Sequence, residues 1–303
     1  MSFGFDSACK TYAELIGNIA KDALSAKKYY HFIKLMGRSA SHITLECALQ
    51  TQPNLALIGE ERKSLTQIVD EIADLIQRRK DAGKEYGIIL VPEGLIEFIP
   101  EIEQLIQELN QLLAKSEPLS QLSPASAAVF ADLPEKIQKQ LTLQRDSHGN
   151  VQVSLIETEL LLIEKVKKKF PHLQVVQHFL GYEGRSCLPS NFDANYSYAL
   201  GQLSALCIRD QLTGVIGSIQ HLRGPIDTWH FKAVPISRLM HFEMRQGKEK
   251  PVIQKTLVDM NQRSFIEFSR KRASWQLQDQ YISPGPIQFF GDPQLTDSVP
   301  VTL

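Results

Sequence analysis

The sequence predicts an α/β protein: a doubly wound, mostly parallel sheet with helices on both faces, a helical insertion and a helical C-terminal extension. Two observations carry this expectation. Between residues 30 and 212, short apolar runs alternate with segments of helical period, the pattern of strands joined by crossover helices. Three of these runs end abruptly in polar or charged residues, as happens where parallel strands deliver side chains to one edge of a sheet.

The first periodic segment, residues 5–26, puts Ala8, Tyr12, Leu15, Ile16, Ile19 and Ala20 on one stripe and reads as an amphipathic helix. No strand precedes it, so it is expected to hang on a sheet that this chain does not fully contain. The run Tyr29–Met36 is a strand closed by Gly37 and Arg38, and a helix follows to about Gln50. Leu55–Gly59 is a short buried strand. Ser64 and Gln67 form a capping box for a helix over 65–83. Tyr86–Val91 is a strand delivering Glu93, and Pro100 opens a helix to about Lys115.

Residues 116–152 break the rhythm and are expected to form an insertion with one short helix over 134–143 and a turn at Ser147–Asn150. A helix over 154–170 ends in Lys167, Lys168 and Lys169, which complement its dipole or form a binding patch. Leu173–Gly181 is a strand delivering Tyr182 and Arg185, followed by a helix over 190–212. Two β runs, 215–219 and 229–234, then flank a turn at Arg223–Pro225. The end reads as a helix over 251–272 and an extended segment over 281–291.

With 33 basic and 34 acidic residues, the chain lacks the basic field that drives nucleic-acid binding. No apolar run approaches the ~20 residues of a membrane span, and a cytoplasmic protein is expected. Cys9, Cys47 and Cys207 lie in helical patterns beside apolar residues and read as reduced core cysteines, whereas Cys187 stands beside Arg185. Walker A, G-x-G-x-x-G, G-x-S-x-G and H-E-x-x-H motifs are all missing.

Arg38, Glu93 and Tyr182 with Arg185 therefore stand at the ends of three predicted strands. Two guanidinium groups suit a phosphate and a carboxylate suits sugar hydroxyls, so one sugar-phosphate pocket fits the inventory. Spacing by itself also allows unrelated surface positions. Two further ambiguities remain at this level: Glu60 and Glu61 could hold a cation or belong to a solvated loop, and His42 could touch a ligand or cap and pack its helix.

Several segments together resemble the long-form pyrophosphate-dependent 6-phosphofructokinases. They are Gly4–Ala8, Lys28-Tyr29, Met36–His42, Pro92–Glu97, Gly181–Asp193 and Pro284–Gly291. The resemblance implies a phosphofructokinase-like fold and a glycolytic transferase. Its reaction would be Mg²⁺-dependent phosphoryl transfer from diphosphate to the 1-hydroxyl of fructose 6-phosphate, giving fructose 1,6-bisphosphate. It places Met36, Gly37 and Arg38 on the sugar phosphate, Glu93 on the fructose hydroxyls, and Tyr182 with Arg185 on the sugar and its 6-phosphate. Lys28 and Tyr29 match a pair that reaches the substrate of a neighbouring subunit, implying at least a dimer.

The family's G-G-D phosphate-binding stretch and the aspartate that acts as base have no counterpart in these residues, and neither do Mg²⁺ ligands. The chain is therefore expected to be an acceptor-binding, C-terminal portion. In this reading residues 1–26 belong to an otherwise missing donor-binding lobe, 27–215 form the sugar-phosphate lobe with the insertion at 116–152, and 216–303 return toward the first lobe. The portion would be inactive without the complementary half. The alternative is a noncatalytic regulatory subunit or a sugar-phosphate-binding remnant of the same fold.

Overall fold

The alternation of apolar runs and amphipathic helices builds a four-stranded parallel sheet with the order β2-β3-β1-β4. In a computed structural model, the structure describes residues 1–115, 117–143, 150–245, 248–253 and 255–303. The turn expected at 147–150 falls largely outside them. Helix α1 (Phe5–Ala26) leads into β1 (Tyr30–Leu35), α2 (His42–Thr51) and the short β2 (Leu55–Ala56). Then come α3 (Leu65–Asp81), β3 (Gly87–Pro92), α4 (Pro100–Ala114), α5 (Pro124–Asp132), α6 (Glu135–Leu143), α7 (Thr158–Lys169) and β4 (Val175–Leu180).

Side chains alternate across each strand, so the sheet has two buried faces. Tyr30, Phe32, Ile89 and Val91 pack on one side with Ile72 and Leu75 of α3, Leu105 of α4 and Leu162 of α7. Ile33, Leu35, Ile88 and Leu90 pack on the other with Tyr12 and Ile16 of α1, Leu45 of α2 and Phe268 from the C-terminal part. The stripe read from the sequence of α1 thus lies against the sheet that this chain contains. Ser64 and Gln67 form the expected reciprocal cap on α3.

Beyond β4 follow a single-turn helix α8 (Tyr182–Arg185), α9 (Asn191–Arg209), β5 (Val215–Gln220) and β6 (His230–Pro235). β5 and β6 pair as an antiparallel ribbon whose Ile219 and Trp229 region packs on Phe192 and Tyr196 of α9. The chain continues with β7 (Met240–Arg245), β8 (Lys248–Ile253), α10 (Arg263–Gln278) and α11 (Pro293–Thr296).

Two expectations are corrected here. Residues 251–253 and 255–262 are not helical: Pro251 lies opposite Phe242 in a β7–β8 ribbon, and α10 begins only at Arg263. A proline with fixed φ suits the edge of a two-stranded ribbon as well as a helix start, and the cross-strand partner decides. The insertion also holds an additional helix, α5, with Ser123 as cap and Pro124 in its first turn. A signal read as a break was a start.

α10 is fastened to α3 by a buried charge cluster. The Arg79 guanidinium lies 2.8 Å from Asp279, and Lys84 lies 2.6 Å from the same carboxylate. Burial alone would raise the Asp279 carboxyl, but Lys84 and Arg79 outweigh it and hold it below the usual range.

Candidate functional site

Because β1, β3 and β4 are parallel, their carboxyl ends share one edge, and the turns after β1 and β3 interlock there. The Met36 N–H donates to the Leu180 carbonyl at 3.0 Å, the link from β1 to the end of β4. Gly37 then turns the chain at φ 150, a region that L side chains rarely adopt. Its N–H donates to Glu93 Oε2 at 3.0 Å. Just beyond, Gly94 leaves room for the opposite turn, since a Cβ there would stand 2.2 Å from the Arg38 carbonyl oxygen. Met36, Gly37, Arg38 and Glu93 are thus brought together. Met36 is half-buried and Arg38 is exposed.

Glu93 opens the short 3₁₀ turn Glu93–Phe98 and is itself buried. Burial raises its pKa above the usual carboxylate range, against the opposing pull of the Gly37 N–H, Lys34 and Arg38. Lys34 sits in the same strand end, also buried, 3.2 Å from Glu159 and 4.6 Å from the centre of the Phe179 ring. Neither Lys34 nor Glu159 stands out in a sequence reading. A lysine inside an otherwise apolar strand is the one available hint, and only the fold supplies its partner from α7.

At the end of β4, Tyr182 and Arg185 form the single turn of α8. Both are exposed, with the guanidinium carbon 5.6 Å from the centre of the Tyr182 ring. The turn is fixed from behind. The Gly181 N–H donates to Glu183 Oε2 at 2.8 Å, and the Tyr12 hydroxyl of α1 donates to the Gly181 carbonyl at 2.5 Å. Gly184 lies against the Tyr12 ring, where a Cβ would come within 2.4 Å of Cζ.

Lys28 and Tyr29 are not part of this cluster. They precede β1, at the amino edge of the sheet, about 20 Å from Met36 by strand rise. Lys28 lines a cavity of about 430 Å³ with Lys27, Lys80, Lys169 and His172. Tyr29 is held at φ 67, its ring edge-on to His31.

Glu60 is buried and accepts from the Ser41 and Val258 N–H groups, each at 3.0 Å. Glu61 pairs with Lys63 and Arg272 at 3.1 and 2.8 Å. Both carboxylates therefore serve the fold. His42 opens α2 and its Nε2 donates to the Thr256 carbonyl at 3.1 Å, which ties that helix to the chain before α10. Cys9, Cys47 and Cys207 are buried, and Cys187 is half-buried.

The residues at this edge do not fit a Mg²⁺ site. Among the described residues no cluster of three or more His, Cys, Asp or Glu side chains could hold a metal, and Glu93 lies between Lys34 and Arg38 in charge. Likewise, no described helix is long and apolar enough to cross a membrane.

Residues 1–208 match the Phosphofructokinase family. The chain belongs to the phosphofructokinase family. It is 49% identical to the pyrophosphate--fructose 6-phosphate 1-phosphotransferase of Treponema pallidum, over 100% of this chain and 58% of that protein. It is 48% identical to the Solanum tuberosum subunit beta of that name, over 96% and 54%. The Porphyromonas gingivalis protein of that name is 44% identical, over 100% and 60%. The chain thus spans only a little over half the length of these phosphofructokinases.

Proposed function

We propose that this chain carries the fructose 6-phosphate-binding part of a pyrophosphate-dependent phosphofructokinase. The observation that supports it most is the interlock of Gly37 with Glu93, which sets a buried carboxylate beside Arg38 at the strand edge that also carries Tyr182 and Arg185. Arg38 and Arg185 supply paired N–H donors for the 6-phosphate. Glu93 holds the sugar hydroxyls, and Tyr182 lies along the sugar. Lys28 and Tyr29, on the far edge, serve the site of a neighbouring copy, so the working form is at least a dimer.

In this reading the reaction carries a phosphoryl group from diphosphate to the 1-hydroxyl, yielding fructose 1,6-bisphosphate and phosphate, reversibly. Such transfer depends on positioning and on charge neutralisation. The residues described here position only the acceptor. The base and the donor-binding groups belong to polypeptide corresponding to the part of the relatives that this chain does not match. Residues 27–215 and 216–303 keep the division drawn from the sequence, residues 1–26 join the sheet body on which α1 packs, and the donor-binding part covers the outer face of α9, where Tyr198 and Ile208 are 71% and 78% exposed. By itself this chain binds fructose 6-phosphate weakly and turns nothing over.

The test is Arg185→Ala in the enzyme assembled from this chain and the donor-binding part. The KM for fructose 6-phosphate should rise about a hundredfold, the loss of a charge-assisted bidentate contact worth ~2–3 kcal/mol. An unchanged KM removes Arg185 from the site. Turnover of diphosphate or ATP by this chain alone would show that a base has been overlooked.

A further inference from the structure

We propose that helix α1 is the platform that sets the position of Tyr182 and Arg185, with Tyr12, Ser7 and Asp193 as positioning residues. This rests on the sugar-phosphate reading given above and adds to it residues that lie outside the site.

The segment between β4 and α9 cannot hold itself in place. Tyr182 and Leu188 are 72% and 71% exposed, and the single turn 182–185 is too short to be stable alone. Its two ends, however, are both fastened to α1. At the first, the Tyr12 hydroxyl donates to the Gly181 carbonyl at 2.5 Å and its ring fills the space left by Gly184. At the second, the two helix starts cap one another. Asp193 accepts from the Gly4 N–H at 2.8 Å, the Ser7 N–H at 2.7 Å and the Ser7 hydroxyl at 2.6 Å. In return the Ser7 hydroxyl oxygen accepts from the Ser190 N–H at 2.9 Å. Ser190 caps α9 by accepting from the Asp193 N–H at 3.2 Å, and its hydroxyl donates to Asp6 at 2.6 Å.

Tyr12, Asp6, Ser7, Ser190 and Asp193 are all buried. Apart from Asp6 Oδ1 their side-chain polar atoms are paired, and such groups resist displacement, because each broken bond leaves an unsatisfied partner out of reach of water. The guanidinium therefore projects from a short bridge with two fixed piers. Loosening one pier displaces the phosphate-binding group without removing it, and a misplacement of about 1 Å suffices to weaken function strongly.

The experiment compares Tyr12→Phe, Ser7→Ala and Ser7→Thr with Arg185→Ala in the assembled enzyme. Tyr12→Phe keeps the ring and loses the hydroxyl. It should raise the KM for fructose 6-phosphate about tenfold with kcat nearly unchanged, as should Ser7→Ala, whereas Ser7→Thr restores the hydroxyl and the KM. A purely structural role would lower the active fraction, and with it kcat, but leave KM alone. Hydrogen exchange on this chain gives a readout independent of substrate: amides 182–187 should exchange faster in Tyr12→Phe while those of β1 and β3 do not change. If Arg185→Ala raises KM and the α1 variants do not, the platform is wrong and the site stands. If none of them moves KM, the site reading falls, and the platform with it.

Discussion

The four-stranded sheet and helix α9 are both apolar on two sides, and only the sheet has both sides covered. Phe32 and Ile89 meet α3, α4 and α7, while Ile33 and Leu90 meet α1 and α2. On α9, Phe192, Tyr196 and Ala199 pack on the β5–β6 ribbon. The opposite stripe of Ala194, Tyr198, Ala205 and Ile208 is exposed. A second apolar stripe on a helix suits an interior rather than solvent, and a two-stranded ribbon is marginal without further cover. The difference separates a part that closes its own core from a part shaped to be covered.

The largest expected effect lies where the sheet body is closed from behind. Asp279→Ala strands the buried Arg79 guanidinium and should cost about 3–5 kcal/mol of stability in urea unfolding. A loss under 1 kcal/mol would mean that the sheet body does not depend on its C-terminal strap.

A middle-sized effect should come from the edge strand. His31 Nδ1 and His178 Nε2 lie 2.9 Å apart, with the rings stacked between β1 and β4. Burial, with His178 adding to it, lowers His31 from 6.5 to about 4, and burial lowers His178 as well; Asp22 opposes weakly at His31. Between those two values the unfolded chain binds more protons than the folded one. Stability is thus full above pH 6.5 and drains as the pH falls toward 4. Across that window the melting temperature of His31→Phe should fall by several degrees less than that of the unaltered chain. Equal slopes would show that the pair does not govern the edge.

The smallest effect belongs to the open face. Ile208→Ser should change the stability of this chain by no more than ~0.5 kcal/mol, yet weaken its assembly with the donor-binding part. A large loss of stability in the chain alone would place Ile208 in a closed core and erase the contrast with the sheet.

Much of the fold was legible because burial imposes a period. The boundaries of α1 and the cap on α3 follow from residues that lie within a few positions of each other. What lacked a local signature was misread. Pro251 has the same fixed φ in a ribbon as at a helix start, and only its partner Phe242, nine residues earlier in the chain, tells them apart. Met36, Gly37, Arg38, Glu93, Tyr182 and Arg185 could be placed at strand ends from spacing, and the strands are parallel as expected. The bonds that hold Met36, Gly37, Arg38 and Glu93 together were not visible. Gly94 is a glycine because the Arg38 carbonyl crosses it, and Tyr12 carries a hydroxyl because Gly181 lies 169 positions away in sequence and 2.5 Å away in space.

The sequence by itself determined the strands of the parallel sheet and of the β5–β6 ribbon, most of the helices, the polar groups at the strand ends and the family resemblance, since each is written in neighbouring residues or short motifs. Only the tertiary structure decided which polar groups meet, which carboxylates are consumed by the fold, and which apolar stripe is left uncovered. Such pairings join residues far apart in the chain, and their energies depend on burial and distance, which exist only once the chain has closed on itself.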